Sequence, residues 1–188
     1  MAYEQLLFDV GYRATTIRAV AERAGVSPEL IYKAFGGKPG LLKALWDVTL
    51  AGDDEPVAMG RRRHMHEIWA TTDPRTKLNL YAGFVRSVHE RLAKLHAMLV
   101  EAGPEAAEVL SISEQERLSG VATFVTHLAD IALLRGDVDR TTATDACWAL
   151  TAAEVFNRLT ADRGWTGDAY QSWLAEMLCA TVLPLHQT

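Results

Sequence analysis

The side chains with the clearest chemical potential lie between residues 14 and 42, in ATTIRAVAERAGVSPELIYKAFGGKPGLL. Ser27, Pro28, Glu29, Leu30, Tyr32 and Lys33 fall on the outside of a short predicted helix, and Ile31 and Phe35 fall on its inner side. A hydroxyl, a carboxylate, an ammonium group and an outward leucine in this order form no acid-base pair and no activated nucleophile. They suit the reading of a polymer surface: hydrogen bonds to base edges, contact with a thymine methyl, and neutralisation of phosphate.

The flanking residues supply the elements that position this array. Thr16 stands where an N-cap is needed, ahead of Ile17, Val20, Ala21 and Ala24, whose i, i+3, i+4, i+7 spacing makes a buried helical stripe. Ala21 and Gly25 are small at one-turn spacing and admit a close neighbour. Gly25 permits a left-handed turn, Val26 is expected to plug the corner, and Ser27-Pro28 supplies the N-cap and first residue of the next helix. Helix, short glycine turn and helix make a helix-turn-helix, whose second helix enters the major groove.

The segments LLFDVGYRATTI and IRAVAERAGVSPELIYKAF, followed by a Gly-Lys pair that opens a fourth helix, resemble the DNA-binding domain of the TetR family of bacterial transcriptional repressors. The resemblance covers about residues 5–45. The remainder, from DDEPVAM through DACWALTAAEVFNRLTADRGW, is more loosely similar to a ligand-binding domain of many actinobacterial members. The resemblance implies that Thr16 and Arg18 lie near phosphates at the start of the second helix. It implies that Tyr32 and Lys38 also hold the DNA backbone, while Ser27, Pro28, Glu29, Leu30 and Lys33 line the groove. It further implies double-stranded operator DNA and a second copy of the chain as partners, and a small-molecule effector of unknown identity. Three departures stand out: the chain starts inside what would be helix one, without a basic arm; Gly37-Lys38-Pro39-Gly40 lacks the usual serine cap; and the local charge is low.

Charge and composition frame the rest. The chain has 188 residues, a net charge of −5, 49% apolar and 23% charged side chains. Residues 1–50 carry six basic and five acidic side chains, and residues 51–188 carry thirteen basic and nineteen acidic. Net charge bears on solubility more than on a site, so the local pattern decides. Ala (28) and Leu (23) far outnumber Gly plus Pro (19), which favours helix. No apolar run is long enough to span a membrane and the N-terminus lacks a signal pattern, so a cytoplasmic protein without a membrane partner is expected. Cys147 and Cys179 suggest neither a disulfide framework nor a zinc site.

An all-α, two-domain chain is expected: a three-helix DNA-binding domain over 1–51 with a truncated first helix, and an effector-binding and dimerisation domain over 52–188. Gly11, Gly25 and Gly36 are read as helix stops, and AGDDEP (51–56) as the boundary. Asp73-Pro74 opens a helix to about Glu101. A second long helix carries Leu118, Val121, Ala122, Val125, Leu128 and Ala132 and stops at Gly136. The last helices span 142–161 and 167–183. The former has two apolar stripes, one through Ala146, Ala149, Leu150, Ala153 and Phe156, the other through Trp148, Ala152, Val155 and Leu159. A second stripe calls for a second partner, which a twofold-related copy could supply or the long helices of the same chain could satisfy.

Trp69, Tyr81, Phe84, Phe124, Trp148 and Phe156, with Asn157 and His127 as polar anchors, could line an effector cavity or form ordinary core. Arg61-Arg62-Arg63-His64 could touch DNA or begin a solvated helix. His64-x-His66-Glu67 has the wrong spacing for one ion, since residues two apart diverge on a helix. His89 and His96 share a face two turns apart and His127 sits on the following helix, which leaves a metal-sensing regulator, or one with no ligand, as the alternative. No cofactor is expected. No GxSxG, HExxH, phosphate-binding loop or carboxylate pair suggests an enzyme.

Overall fold

A computed structural model describes residues 2–55 and 57–184, with Glu105 described in its backbone alone. The described residues contain helices and no strand. The chain divides into two compact units: Met1–Asp54 with Arg91–Glu114, and Glu55–Glu90 with Gln115–Thr188.

The first unit holds α1 (Ala2–Ala14), α2 (Ile17–Ala24), α3 (Pro28–Phe35) and α4 (Lys38–Ala51). Tyr3, Leu7, Val20, Ile31, Leu42 and Trp46 are buried at its centre, with Leu95 and Leu99 from residues 91–114. The first glycine differs from the expected stop. Helix α1 continues three residues past Gly11, which takes φ 81, ψ 166 and kinks the helix rather than ending it. Such a backbone is open to glycine and strained for any residue with a Cβ. Helix α4 ends on Gly52, and Arg91 caps it, donating to Thr49 O at 3.2 Å and Leu50 O at 2.7 Å.

The second unit contains α5 (Arg63–Ala70), the part of α6 (Pro74–Ala102) up to Glu90, α7 (Ala107–Asp130) from Gln115, α8 (Arg140–Leu150), α9 (Ala153–Asn157) and α10 (Gly167–Val182). Asp73 caps α6 as expected, accepting from Thr76 N at 2.8 Å. Leu78, Phe124, Leu128, Cys147, Leu174 and Leu178 are among the buried residues of one continuous core.

Two expected helices are shorter than their hydrophobic pattern. Helix α7 stops at Asp130, six residues before Gly136, and Ala132 turns left-handed at φ 58. Leu133 N donates to Leu128 O at 2.8 Å, so alanine fills a position that glycine usually holds in this kind of helix end. The span 142–161 is not one helix. Helix α8 begins at Arg140, on an Asp139 cap, and breaks at Thr151 and Ala152. A wider turn over Arg158–Asp162 then follows α9.

The stripe of α7 keeps Val121, Val125 and Leu128 buried as expected and departs from expectation at its start. Leu118 is 38% exposed, while Arg117 turns towards the backbone of α8. Arg117, Val121, Phe124 and Leu128 follow the i, i+4, i+7, i+11 spacing of one helix face. Lys77 on α6 is the other unexpected core residue. It is wholly buried, and its ammonium group donates to Ile68 O at 2.6 Å and Trp69 O at 3.0 Å and meets His127 Nε2 at 3.1 Å. The first two acceptors belong to the last turn of α5, where carbonyls lack helical partners and a cation is favoured.

Candidate nucleic-acid interface

The turn between α2 and α3 is built as its residues dictate. Thr16 Oγ1 accepts from Ala19 N at 3.1 Å and starts α2. Gly25 ends it at φ 68, ψ 30, and its backbone amide returns to Ala21 O and Glu22 O. Ser27 Oγ then accepts from Leu30 N at 3.2 Å, with Pro28 in the first turn of α3. Only Ile31 anchors α3 firmly, at 5% exposure.

That thin anchoring corrects three expectations. Ala24 is exposed, Val26 is 39% exposed instead of plugging the corner, and Phe35 is 40% exposed instead of facing inward. An eight-residue helix has little more than two turns, and Phe35 at its last position lies beyond the reach of the core below Ile31. The apolar content of α3 therefore stands largely in solvent, with Leu30 at 52% and Tyr32 at 56% exposure.

Glu29, Leu30, Tyr32 and Lys33 are all exposed, and Pro28 is half-buried. The Glu29 carboxyl is held below the ordinary carboxylate range by its own backbone amide first and the Ser27 hydroxyl second. It therefore stays charged at the positive end of α3, as suits a helix-start residue. Tyr32 lies alongside Gly37, where an added methyl would stand 3.8 Å from its ring. Lys38 is half-buried: its ammonium group sits 4.1 Å from the centre of the Tyr12 ring and donates to Arg13 O at 3.4 Å. Gly37 before it offers no side-chain cap to α4. Arg18 is exposed near the start of α2. Thr16, Arg18 and Lys38 thus all lie in the first turns of α2 and α4, where unpaired backbone amides favour anions.

Residues 2–45 match the family described as bacterial regulatory proteins, tetR family. The N-terminal domain is a TetR-family DNA-binding domain. The HTH-type transcriptional regulator YvkB of Bacillus subtilis (strain 168) is 51% identical over 41 residues, which are 22% of this chain and 22% of that protein. That match spans about a fifth of the relative's length. A TetR-family protein from Rhodococcus sp. superposes with a TM-score of 0.70 at 19% identity, covering 96% of this chain and 94% of the other. One from Mesorhizobium loti MAFF303099 gives 0.65 at 15% identity, with coverages of 96% and 91%. The fatty acid degradation regulator FadR of Bacillus halodurans gives 0.62 at 18%, with coverages of 94% and 90%. At these identities the likeness is one of fold: the TetR all-α arrangement of an N-terminal helix-turn-helix and a larger helical domain. TetR proteins are DNA-binding regulators, not enzymes.

The residues considered for an effector cavity fall into separate groups. Tyr81 stacks on Phe124 at 3.8 Å, and Trp69 lies 5.9 Å from Phe124 and 4.7 Å from His127. Phe84 adjoins Tyr81 at 6.1 Å. Phe156 instead stacks on His89 at 5.2 Å, Trp148 lies under the Arg117 guanidinium at 5.0 Å, and Asn157 closes α9 half-buried. The apolar pattern does not mark Lys77 or Arg117, although Lys77 stands one turn before Tyr81 on the same face. No group of three His, Cys, Asp or Glu side chains among the described residues could share a metal. His89 contacts Thr151 O at 3.0 Å, and His96 packs on Trp46 at 6.2 Å. Burial pushes the Cys147 thiol up to about 12, far from a reactive thiolate.

Proposed function

We propose that the chain is a homodimeric TetR-type transcriptional regulator, a repressor that leaves its operator when a small-molecule effector binds. The observation that carries this reading is α3 itself, a capped eight-residue helix held by Ile31 with Leu30, Tyr32 and Lys33 outward. At about 1.5 Å per residue it is roughly 12 Å long, which suits a major groove about 12 Å wide. Leu30 meets a thymine methyl, Lys33 a base edge, and Tyr32 and Lys38 the phosphates on either side. In this reading residues 1–51 bind DNA and residues 52–188 bind the effector and the second copy.

Two recognition helices must reach major grooves about 34–36 Å apart, which makes a second copy part of the function. The described surface offers a place for it. A shallow groove of about 360 Å³ runs along α10, lined by Trp165, Thr166, Ala169, Ser172, Trp173 and Glu176. Trp165 is 37% exposed and meets Trp173 edge to face at 6.2 Å. Tryptophans in such a place favour burial against another surface.

The test is binding of the purified protein to the DNA upstream of its own gene, titrated with salt. The expected result is affinity well above that for unrelated DNA of equal length, falling steeply as salt rises. Equal affinity for both sequences at every salt concentration sinks the reading.

A further inference from the structure

Gly40 lies in the first turn of α4 and, unlike Gly36 and Gly37, has no positive φ. Its backbone would suit alanine, and glycine at such a position makes a helix less stable than alanine does. What bars a side chain is space. A methyl group added to Gly40 would run into the carbonyl oxygen of Phe35, the last residue of α3. That obstacle is main chain, so no side-chain rotation relieves it. At Gly83 and Gly167 an added methyl group comes closest to side chains, those of Gln171, Arg86 and Glu90, and at Gly120 on α7 it meets nothing within 4 Å.

The two helices that meet at this contact are held unequally. Helix α4 is fixed in the core by Leu41, Leu42, Leu45 and Trp46, whereas Ile31 is the one buried residue of α3. The start of α3 is tied down by the Ser27 hydroxyl on Leu30 N, and its end closes through the Gly36 amide, which donates to Tyr32 O at 2.8 Å. The room beside Gly40 therefore decides where the end of α3 rests. A push from residue 40 is taken up by α3, most of all in its second half, which carries Tyr32 and Lys33.

Base edges are read through short, directional hydrogen bonds that tolerate little displacement, while phosphates are held by charge, which tolerates more. We propose that Gly40 is a positioning residue for operator recognition. The space it leaves for the Phe35 carbonyl sets the depth from which Leu30 and Lys33 read the bases, without contact between Gly40 and DNA. This rests on the reading of α3 as the base-reading helix and adds a specificity determinant on the helix behind it.

The experiment compares Gly40→Ala with wild type and with Gly120→Ala in two measurements. In thermal melting, Gly120→Ala is expected to gain about 1–3 °C, as alanine in place of an unhindered helical glycine should. Gly40→Ala is expected to keep the helical signal and to melt below wild type. An unchanged or raised melting temperature overturns the proposal, and so does loss of the helical fold, since α3 alone is to give way. In the second measurement each protein selects from a pool of randomised duplex DNA. Wild type and Gly120→Ala are expected to enrich the same sequence. Gly40→Ala is expected to bind that sequence about tenfold or more weaker and to bind the unselected pool within about twofold of wild type. An unchanged preference, or an equal loss on selected and unselected DNA, overturns the proposal and leaves the regulator reading standing. Enrichment of no sequence by wild type removes the regulator reading itself, and this proposal with it.

Discussion

The Lys77 ammonium group and His127 Nε2 lie 3.1 Å apart in the second unit. An ammonium group has no lone pair to offer, so the imidazole nitrogen must supply one, and His127 must be neutral with its proton on Nδ1. Lys77 spends its other two donors on the open carbonyls of α5. Burial lowers the affinity of Lys77 for its proton. Burial first, and the Lys77 charge second, do the same to His127.

The pair makes stability depend on pH in one direction. The unfolded chain takes up the His127 proton near the ordinary value of about 6.5, and the folded chain takes it up only at lower pH. Stability from this group is therefore complete above about pH 6.5 and is lost as pH falls towards the depressed folded value. His127→Gln keeps an acceptor for Lys77 and removes the titration. The difference in melting temperature between wild type and this variant is expected to change between about pH 7.5 and about pH 5.5, with wild type losing more. An identical loss in both proteins refutes the assignment.

Ala132 is the position where the fold carries avoidable strain. Its φ of 58 closes α7 through the Leu133 N to Leu128 O bond. Ala132→Gly removes the clash of Cβ with the following carbonyl and gives back some unfolded-state entropy. A net stabilisation of about 0.5–1 kcal/mol is expected in urea unfolding. Destabilisation would mean that the Ala132 methyl group contributes more through contact than it costs through strain.

The proposed DNA contacts divide by role. Lys38→Ala is expected to weaken binding to every sequence and to flatten the salt dependence by about one unit of slope. Some stability also goes with it, because Lys38 packs on Tyr12. Leu30→Ala, on a residue 52% exposed, is expected to leave the melting temperature unchanged and to relax the preference at one base pair of the operator. Binding measured against a set of single-base operator variants distinguishes the two outcomes.

The α10 groove gives the dimer its own test. Ala169 is exposed and lies between Trp165 and Trp173 along the groove. Ala169→Glu is expected to keep the helical signal and lower the mass in solution from that of two chains to 20.7 kDa. A wild-type mass of one chain at micromolar concentration excludes the dimer.

The helix-turn-helix is legible in the sequence because it depends on local rules. Thr16, Gly25, Ser27 and Pro28 are caps and turn residues whose roles follow from the backbone alone, and each stands where those rules put it. Burial was read less well. Hydrophobicity alone places Phe35 and Val26 inward, yet α3 is held by Ile31 and leaves them 40% and 39% exposed. In α7 the apolar pattern places Val121, Val125 and Leu128 correctly in the core and errs at the start, where Leu118 is exposed and its neighbour Arg117 turns to α8. A pattern of apolar residues cannot register an arginine whose task is to close the carbonyls of a broken helix, nor a lysine doing the same for α5. Nothing local announces the break at Thr151 either, since the partners that satisfy it come from α6 and α7.

Helix α4 begins on Gly37, at φ 138, ψ −164, with no side chain to receive its first amides. Every neighbouring helix of the helix-turn-helix brings its own acceptor, Thr16 for α2 and Ser27 for α3. Gly37 is buried, and the Lys38 ammonium group is held by the Tyr12 ring and Arg13 O. Helix α4 thus takes its start from packing against the end of α1, and a change in that end would be passed straight into the helix behind the recognition helix.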